Sequence, residues 1–235
     1  MHINPIGLLR MGKTHTQRFQ KLNDFLNSVQ TLGGNIAVPA YSYSFAKKES
    51  YDIKNTPSKL DVASEYLRNQ NSAKRTIDPN FSYLLFGSNF SNTHFKAQAY
   101  NSFGENSLIE EVFLRDGYLG AIGGALEYLT EIHFIERMLG VNYRFDKSFS
   151  GQTIHYDGKK TKDTCVYYCR DLTSDYDVSF VKLKSDLRNE NLIEIWDIQE
   201  FKVKLEVIKF RDIYLFIKNK LVNNPKYLWE EKNNA

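Results

Sequence analysis

The sequence is poor in cysteine, which limits the covalent and metal chemistry available to it. Its two cysteines, Cys165 and Cys169, lie in the segment TCVYYC, which alternates like a β-strand. On one strand they share a face but lie too far apart to form a disulfide. No third or fourth ligand of matching spacing completes a zinc site. We therefore expect reduced thiols, no bound metal and a reducing, cytoplasmic compartment.

Long apolar runs and a strong charge excess are also missing. No run of about 18 apolar residues predicts a membrane span, and no secretory signal is visible. The formal net charge is only +3, with the basic residues dispersed, which argues against a nucleic-acid partner. With 235 residues and 42% apolar composition, we expect one globular domain over residues 1–235.

The standard nucleotide-binding and hydrolase motifs are absent too. There is no G-x-G-x-x-G and no Walker loop, so neither standard device holds a nucleotide phosphate. The G-x-S-x-G elbow of α/β-hydrolases is missing. The pyrophosphate-reading motif of the common GNAT acetyltransferase fold is not visible either.

What is present alternates between helical and strand patterns. Apolar residues at helical spacing predict helices in THTQRFQKLNDFLNSVQTLGG, in SKLDVASEYLRN with Ser58 as its N-cap, and in NSLIEEVFLRDG. Short apolar segments predict strands at NIAVP, FSYLLFG and YLGAIGG. This alternation through residue 137 predicts an α/β fold with a largely parallel sheet flanked by helices.

The pattern changes from about residue 142. Two segments of period two flank Asp157–Gly158, a combination that predicts a β-hairpin. Helical spacing then returns in FRDIYLFIKNKLVNNPKYL, which we expect to end near Pro225. No repeat or linker interrupts the chain, so we treat this C-terminal part as an elaboration of the same domain.

One predicted helix carries a candidate general base. Thr130, His133 and Glu136 are spaced by three and therefore share a helix face. A carboxylate one turn from a histidine holds it in one tautomer and stabilises its imidazolium, as a general base requires. An ordinary surface helix with a His–Glu contact is the alternative, and spacing alone favours it.

Other polar residues near strand ends allow two interpretations each. Arg144 and Lys147 could hold phosphate oxygens or be solvated charges, and on an uninterrupted strand they face opposite sides. Asp78 precedes Pro79, where it could cap a turn or bind a ligand amine. The hydroxyl-rich loop AYSYSF follows a strand end and could cradle a ligand or be a half-buried aromatic loop.

Five stretches, in order, resemble the aminoglycoside 3-N-acetyltransferase family. They are GGNIAVPAYSYSF, RTIDPNFSYLLFG, NSFGENSLIEEVFLRDGYLGAIG, LTEIHFIERMLGVNYRFDKSFSG and NNPKYL. The fourth contains T-x-x-H-x-x-E followed by Y-R-x-x-K. The family usually has a fuller first strand where this chain reads MHINPIG, so a short member or a late start assignment is expected.

The resemblance implies an α/β fold with a central mixed sheet, distinct from the GNAT fold and from a left-handed β-helix. It implies acetyl transfer from acetyl-CoA to a sugar amine, without a metal. His133 matches the catalytic base, and Glu136 or Glu127 would orient it. The expected substrate contacts are Asp78, Tyr41, Tyr43 and Phe81. The expected coenzyme contacts are Ser42, Ser82, Thr130, Tyr143, Arg144 and Lys147.

The acceptor is predicted from charge. An aminoglycoside is polycationic and calls for carboxylates, whereas this chain is net positive and rich in loop aromatics. We therefore predict a nucleotide-linked amino-dideoxyhexose, dTDP-linked rather than GDP- or UDP-linked, acetylated at its 3- or 4-amino group for surface-polysaccharide synthesis. An aminoglycoside acceptor and an inactive binding protein are the alternatives, and a homodimer is left open.

Overall fold

Helices and strands alternate in a computed structural model, which describes residues 1–70, 72–95, 100–124, 126–173 and 176–231. The helices are α1 (Pro5–Met11), α2 (His15–Thr31), α3 (Val62–Arg68), α4 (Leu108–Leu114), α5 (Ile132–Met138), α6 (Val181–Asn189) and α7 (Phe210–Asn223). Within the described ranges, 3₁₀ turns lie at Asn92–Phe95 and Leu126–Tyr128.

The strands pair into mixed sheets. They are β1 (His2–Ile3), β2 (Ile36–Pro39), β3 (Tyr51–Asp52), β4 (Lys74–Arg75), β5 (Tyr83–Phe86), β6 (Tyr100–Asn101), β7 (Tyr118–Ile122), β8 (Arg144–Ile154), β9 (Lys160–Arg170), β10 (Tyr176–Val178), β11 (Glu194–Ile198), β12 (Val203–Lys209) and β13 (Trp229–Glu231). The strand orders are β1-β7-β12-β11, β2-β5-β4, β3-β8-β9-β6 and β10-β13. The α/β architecture with mixed sheets is confirmed.

The strand directions differ from those that the alternation of helices and strands predicts. β1 runs parallel to β7, but β5 is antiparallel to β2, and β12 is antiparallel to β7. The chain reverses direction between β4 and β5, so β5 runs antiparallel to both of its neighbours, β4 and β2. The largely parallel sheet expected from the pattern is therefore replaced by a mixed one.

Helices cover both faces of the β2–β5 layer. Leu84 and Phe86 of β5 belong to an apolar cluster that includes α1, α2 and α3. Tyr83 and Leu85, which point the other way on the same strand, join a second cluster with α4, α5 and α7. This alternation follows from the two-residue period of a strand. No helix within the described ranges is long and apolar enough to cross a membrane.

The long hairpin of β8 and β9 closes at the predicted turn. Arg144 pairs with Arg170 at one end, and Ile154 pairs with Lys160 at the other. Gly158 adopts a φ of 81°, a left-handed conformation that glycine enters at little cost. The hairpin places the start of β8 beside α5.

Gly7 lets α1 pack directly on the loop after β7. A Cβ built at Gly7 would lie 2.8 Å from the Gly123 Cα and from the Ile122 carbonyl oxygen. Both neighbours are backbone atoms, so neither can rotate away. We predict that Gly7→Ala lowers the free energy of unfolding by about 1–3 kcal/mol, although alanine is the better helix former.

Urea denaturation would measure this loss. Asn27→Ala, at an exposed position of α2, is the control and should leave the unfolding midpoint unchanged or raise it slightly. Equal midpoints for Gly7→Ala and the wild type would show that α1 can shift away from the loop.

Candidate active site

The first turn of α5 brings His133 and Glu136 into contact. The His133 Nδ1 atom lies 2.7 Å from the Glu136 Oε2 atom. The side chain of His133 is 15% exposed and that of Glu136 is fully buried. Burial distinguishes this pair from a solvated surface pair, the alternative that spacing alone favoured. The ring keeps only a small exposed edge through which a ligand could reach it.

Glu136 also contacts Tyr143, which precedes β8, and Arg144, the first residue of that strand. The Tyr143 hydroxyl donates a hydrogen bond to Glu136 Oε1 at 2.9 Å. The Arg144 Nε atom forms an ion pair with Glu136 Oε2 at 2.6 Å. Burial alone would raise the pKa of Glu136, but the hydrogen bond from His133, the positive charge of Arg144 and the hydrogen bond from Tyr143 lower it. Glu136 is therefore ionised.

An ionised partner on Nδ1 determines which ring nitrogen of His133 is basic. A carboxylate accepts a hydrogen bond, so Nδ1 carries the proton in the neutral ring and Nε2 is left as the acceptor. Burial lowers the pKa of His133, against the opposing effect of Glu136. The ring is consequently neutral near pH 7 and able to accept a proton at Nε2.

This lowered pKa gives a testable pH dependence. The base form of His133 predominates above its pKa, so kcat/KM should rise with pH through a limb centred below pH 6.5, the usual histidine value. The free energy of unfolding should also fall as pH drops through that pKa, because His133 binds the proton more tightly in the unfolded chain than in the folded one. A kcat/KM limb centred above 6.5 would contradict the assignment.

An aromatic wall borders the imidazole. Phe103 meets the His133 ring edge to face, with ring centroids 5.2 Å apart, and the Phe180 ring centroid lies 6.0 Å from that of His133 in a tilted arrangement. Phe81 links Phe103 to Tyr43 through centroid distances of 4.8 and 5.4 Å. Phe180 comes from a distant segment without a motif, so sequence reasoning missed it.

The residues predicted to bind substrate differ in accessibility. Tyr43 is half-buried, whereas Tyr41 is fully buried and Phe81 is 3% exposed. The Tyr41 hydroxyl lies 2.7 Å from the Tyr83 hydroxyl, inside the protein. Much of this loop therefore matches the half-buried aromatic interpretation, and Tyr43 is its accessible ring.

Asp78 is buried in the turn that precedes β5. One carboxylate oxygen accepts hydrogen bonds from the backbone N–H groups of Asn80 and Phe81, both at 2.9 Å. Burial raises the pKa of Asp78, while these bonds oppose the shift. This is the geometry of a turn cap. Contact between Asp78 and a substrate remains a prediction.

The predicted coenzyme residues fall into separate groups. The Ser42 hydroxyl donates to the Pro79 carbonyl oxygen at 2.8 Å, and the Ser82 hydroxyl donates to the Ala40 carbonyl oxygen at 2.7 Å. Both hydroxyls are buried. Lys147 is exposed, on the face of the uninterrupted β8 opposite to Arg144. Arg144 and Tyr143 are engaged with Glu136, as described above.

Two more positions bear on the predicted site. Thr130 is half-buried, and its carbonyl oxygen accepts the His133 N–H at 3.0 Å. Glu127, the other predicted partner of His133, lies in a 3₁₀ turn, but its side chain is outside the described part of the chain. Among the described residues, no group of three His, Cys, Asp or Glu side chains could hold a metal ion.

A cavity of about 300 Å³ opens beside Tyr143 and Arg144. It is lined by Asn142, Tyr143, Arg144, Phe145, Arg170, Asp171, Asp177, Val178 and Trp229. Two carboxylates and two guanidinium groups share this lining, and Arg170 forms an ion pair with Asp177. The cavity wall therefore carries charges of both signs, of which Arg170 and Asp177 are paired with each other and Arg144 with Glu136.

Comparison with known proteins gives one family match and several similar folds. Residues 9–221 match the family model of aminoglycoside 3-N-acetyltransferase. AAC-VIa with bound sisomicin has a TM-score of 0.72 at 15% identity, covering 94% of this chain and 91% of that one. AAC-IIIb in a binary complex with CoASH has a TM-score of 0.71 at 12% identity, covering 94% of this chain and 89% of that one.

The YokD protein from Bacillus subtilis has a TM-score of 0.70 at 15% identity, covering 97% of this chain and 88% of that one. No curated protein sequence matches the chain. The identities are low enough that the structural likenesses bear on the fold alone, whereas the family match spans most of the sequence. The chain belongs to the aminoglycoside 3-N-acetyltransferase family, and the predictions of this family and of an acyltransferase are confirmed.

Proposed function

We propose that the protein transfers the acetyl group of acetyl-CoA to a primary amine of an amino sugar, with His133 as general base. The observation that carries the proposal is the buried, neutral His133 ring, whose Nδ1 atom is held by the ionised Glu136. Membership of a family described by N-acetyl transfer supports it.

The reaction requires a free amine and a leaving thiolate. His133 Nε2 accepts a proton from the sugar nitrogen as this nitrogen forms a bond to the thioester carbonyl carbon. The carbon–sulfur bond then breaks, and the CoA sulfur leaves as a thiolate that takes up a proton. The imidazolium formed on His133 is stabilised by Glu136, the carboxylate already placed on the other ring nitrogen.

The donor assignment rests on a structural relative, AAC-IIIb, described as a complex with CoASH. Arg144 is committed to Glu136 and so supports the base rather than a phosphate. Lys147 is exposed and remains the cation available to coenzyme phosphates. Thr130, at the start of the α5 turn, is retained as a coenzyme contact.

An aminoglycoside is the first candidate acceptor. Relatives described with sisomicin and with apramycin support it, as do Asp171 and Asp177 in the cavity beside Arg144. A polycationic sugar gains from negative charges in the wall of its pocket.

A nucleotide-linked 3- or 4-amino-dideoxyhexose is the second candidate. It is favoured by a lysine beside the accessible aromatic ring of the AYSYSF loop: Lys47 Nζ lies 5.9 Å from the Tyr43 ring centroid. An exposed cation next to an aromatic ring suits a ligand that combines phosphates with a nucleobase.

Measuring thiol release from acetyl-CoA would distinguish an aminoglycoside acceptor from a nucleotide-linked amino sugar. The panel contains sisomicin and gentamicin, and dTDP-, GDP- and UDP-linked amino sugars, each assayed with and without protein at matched ionic strength. Turnover with aminoglycosides alone supports the first candidate, and turnover with nucleotide sugars alone supports the second. Bound acetyl-CoA without turnover on any amine would contradict the proposed activity and favour an inactive binding protein.

A further inference from the structure

A second carboxylate lies at the start of α5, two residues before His133. Glu131 is only 4% exposed. Its Oε1 and Oε2 atoms lie 3.1 and 2.9 Å from His2 Nε2, and Oε1 accepts a hydrogen bond from the Tyr83 hydroxyl at 2.9 Å. The Tyr83 hydroxyl is also bonded to that of Tyr41. Glu131 therefore joins α5 to β1, β5 and the segment after β2.

This attachment acts on the backbone turn that carries His133. The Phe134 N–H donates to the Glu131 carbonyl oxygen at 3.0 Å, and the His133 N–H donates to the Thr130 carbonyl oxygen at the same distance. The Glu131 side chain does not cap the helix itself. Its hydrogen bonds instead hold the first turn of α5 against the strands, and this fixes the position of the backbone from which the His133 side chain extends.

We propose that Glu131 is a positioning residue for His133: it holds the first turn of α5 in place and presents a buried negative charge that stabilises the protonated imidazole. The proposal rests on the proposed role of His133 as general base. The Glu131 carboxylate does not contact the imidazole, but a buried negative charge two residues away favours the imidazolium formed when the amine loses its proton.

The charge state of Glu131 supports this role. Burial favours the neutral acid, but the positive field and hydrogen bond of His2 lower the pKa of Glu131 to about 2. Glu131 in turn raises the pKa of His133, against the larger opposite effect of burial. Tyr83 and Tyr41 stay neutral, because burial raises the pKa of each phenol.

The remaining charged groups around the two residues are few. Glu136 on α5 and Arg144 on β8 act on His133 with opposite signs, and the amino group of Met1 lies on the β1 side of Glu131. His2 also faces the carboxylate of Asp61 before α3. Glu131→Gln leaves the Glu136 and Arg144 side chains in place but also removes a charge that acts on the Met1 amino group, so the titration is read at the His133 signal itself.

Glu131→Gln retains the shape and removes the charge. NMR titration of the imidazole signals, with His133→Ala used to assign the His133 signal, should show the His133 pKa falling by about 0.5–1 unit. With an active acceptor, kcat should fall about tenfold and the acid limb of kcat/KM should move to lower pH, while the KM for acetyl-CoA stays unchanged. Glu110→Gln, in the first turn of α4, is the control and should change none of these.

Tyr83→Phe provides a second test, because it removes one hydrogen bond to Glu131 and leaves the charge. It should lower kcat severalfold and leave the acid limb in place. An unchanged His133 pKa in folded Glu131→Gln, or wild-type kcat in Tyr83→Phe, would overturn the proposal. Full turnover in His133→Ala would instead overturn the base assignment, so the two failures are distinguishable.

Discussion

Replacing His133 by alanine is expected to lower kcat by at least about 100-fold, because it removes the proposed general base. The fold should persist, since the ring retains a solvent-exposed edge and its loss leaves Glu136 paired with Arg144 and Tyr143. The measurement is steady-state thiol release at saturating acetyl-CoA, combined with circular dichroism and a thermal melt for each variant.

His15→Ala is the matched control. His15 is exposed at the start of α2, where its ring contacts Phe19, and it lies outside the proposed site. Its kcat should equal that of the wild type. Wild-type turnover in His133→Ala would remove His133 from the mechanism, even if the family assignment holds.

Glu136→Ala should reduce both activity and stability. The substitution leaves the buried Arg144 guanidinium, whose side chain is 3% exposed, without its carboxylate, and it deprives the Tyr143 hydroxyl of an acceptor. Removing one partner of a buried ion pair costs about 3–5 kcal/mol, and we expect a loss of that size in urea denaturation. The His133 ring also loses the group that fixes its tautomer.

Glu136→Gln separates these two effects. The amide preserves the volume and can still accept hydrogen bonds, so stability should recover in part, while kcat stays at least about tenfold below wild type because the imidazolium loses its counter-charge. Glu190→Ala, at the exposed end of α6, controls for loss of a glutamate. Wild-type kcat in folded Glu136→Gln would show that the charge of Glu136 is not used.

Local chemistry explains which elements could be predicted from sequence. Thr14 and Gln17 form the reciprocal cap that begins α2, and Ser107 caps α4 through the Glu110 N–H at 3.1 Å. The cap predicted at Ser58 is wrong. α3 begins at Val62, because the Asp61 carboxylate accepts the Ser64 N–H at 2.7 Å, while Ser58 bonds to Ser64 and Glu65 from outside the helix.

The candidate site was only partly predictable for a different reason. The pairing of His133 with Glu136 follows from helical spacing, and that spacing is visible in the sequence. The contact between His2 and Glu131 joins residues 129 positions apart, and no local pattern marks it. Burial is equally invisible to local pattern: the Asp78 and Tyr41 side chains form hydrogen bonds inside the protein, and their contact with a substrate remains a prediction.

The two faces of β8 bear on how this protein could change its acceptor during evolution. Arg144 supports the catalytic pair from one face, while Lys147 and Phe149 stand on the other, beside Tyr167 of β9. Substitutions on the second face can alter the charge and shape offered to a ligand without replacing a residue that contacts Glu136. A single strand thus separates selection on specificity from selection on catalysis, which makes positions 147 and 149 the natural starting points for directed evolution.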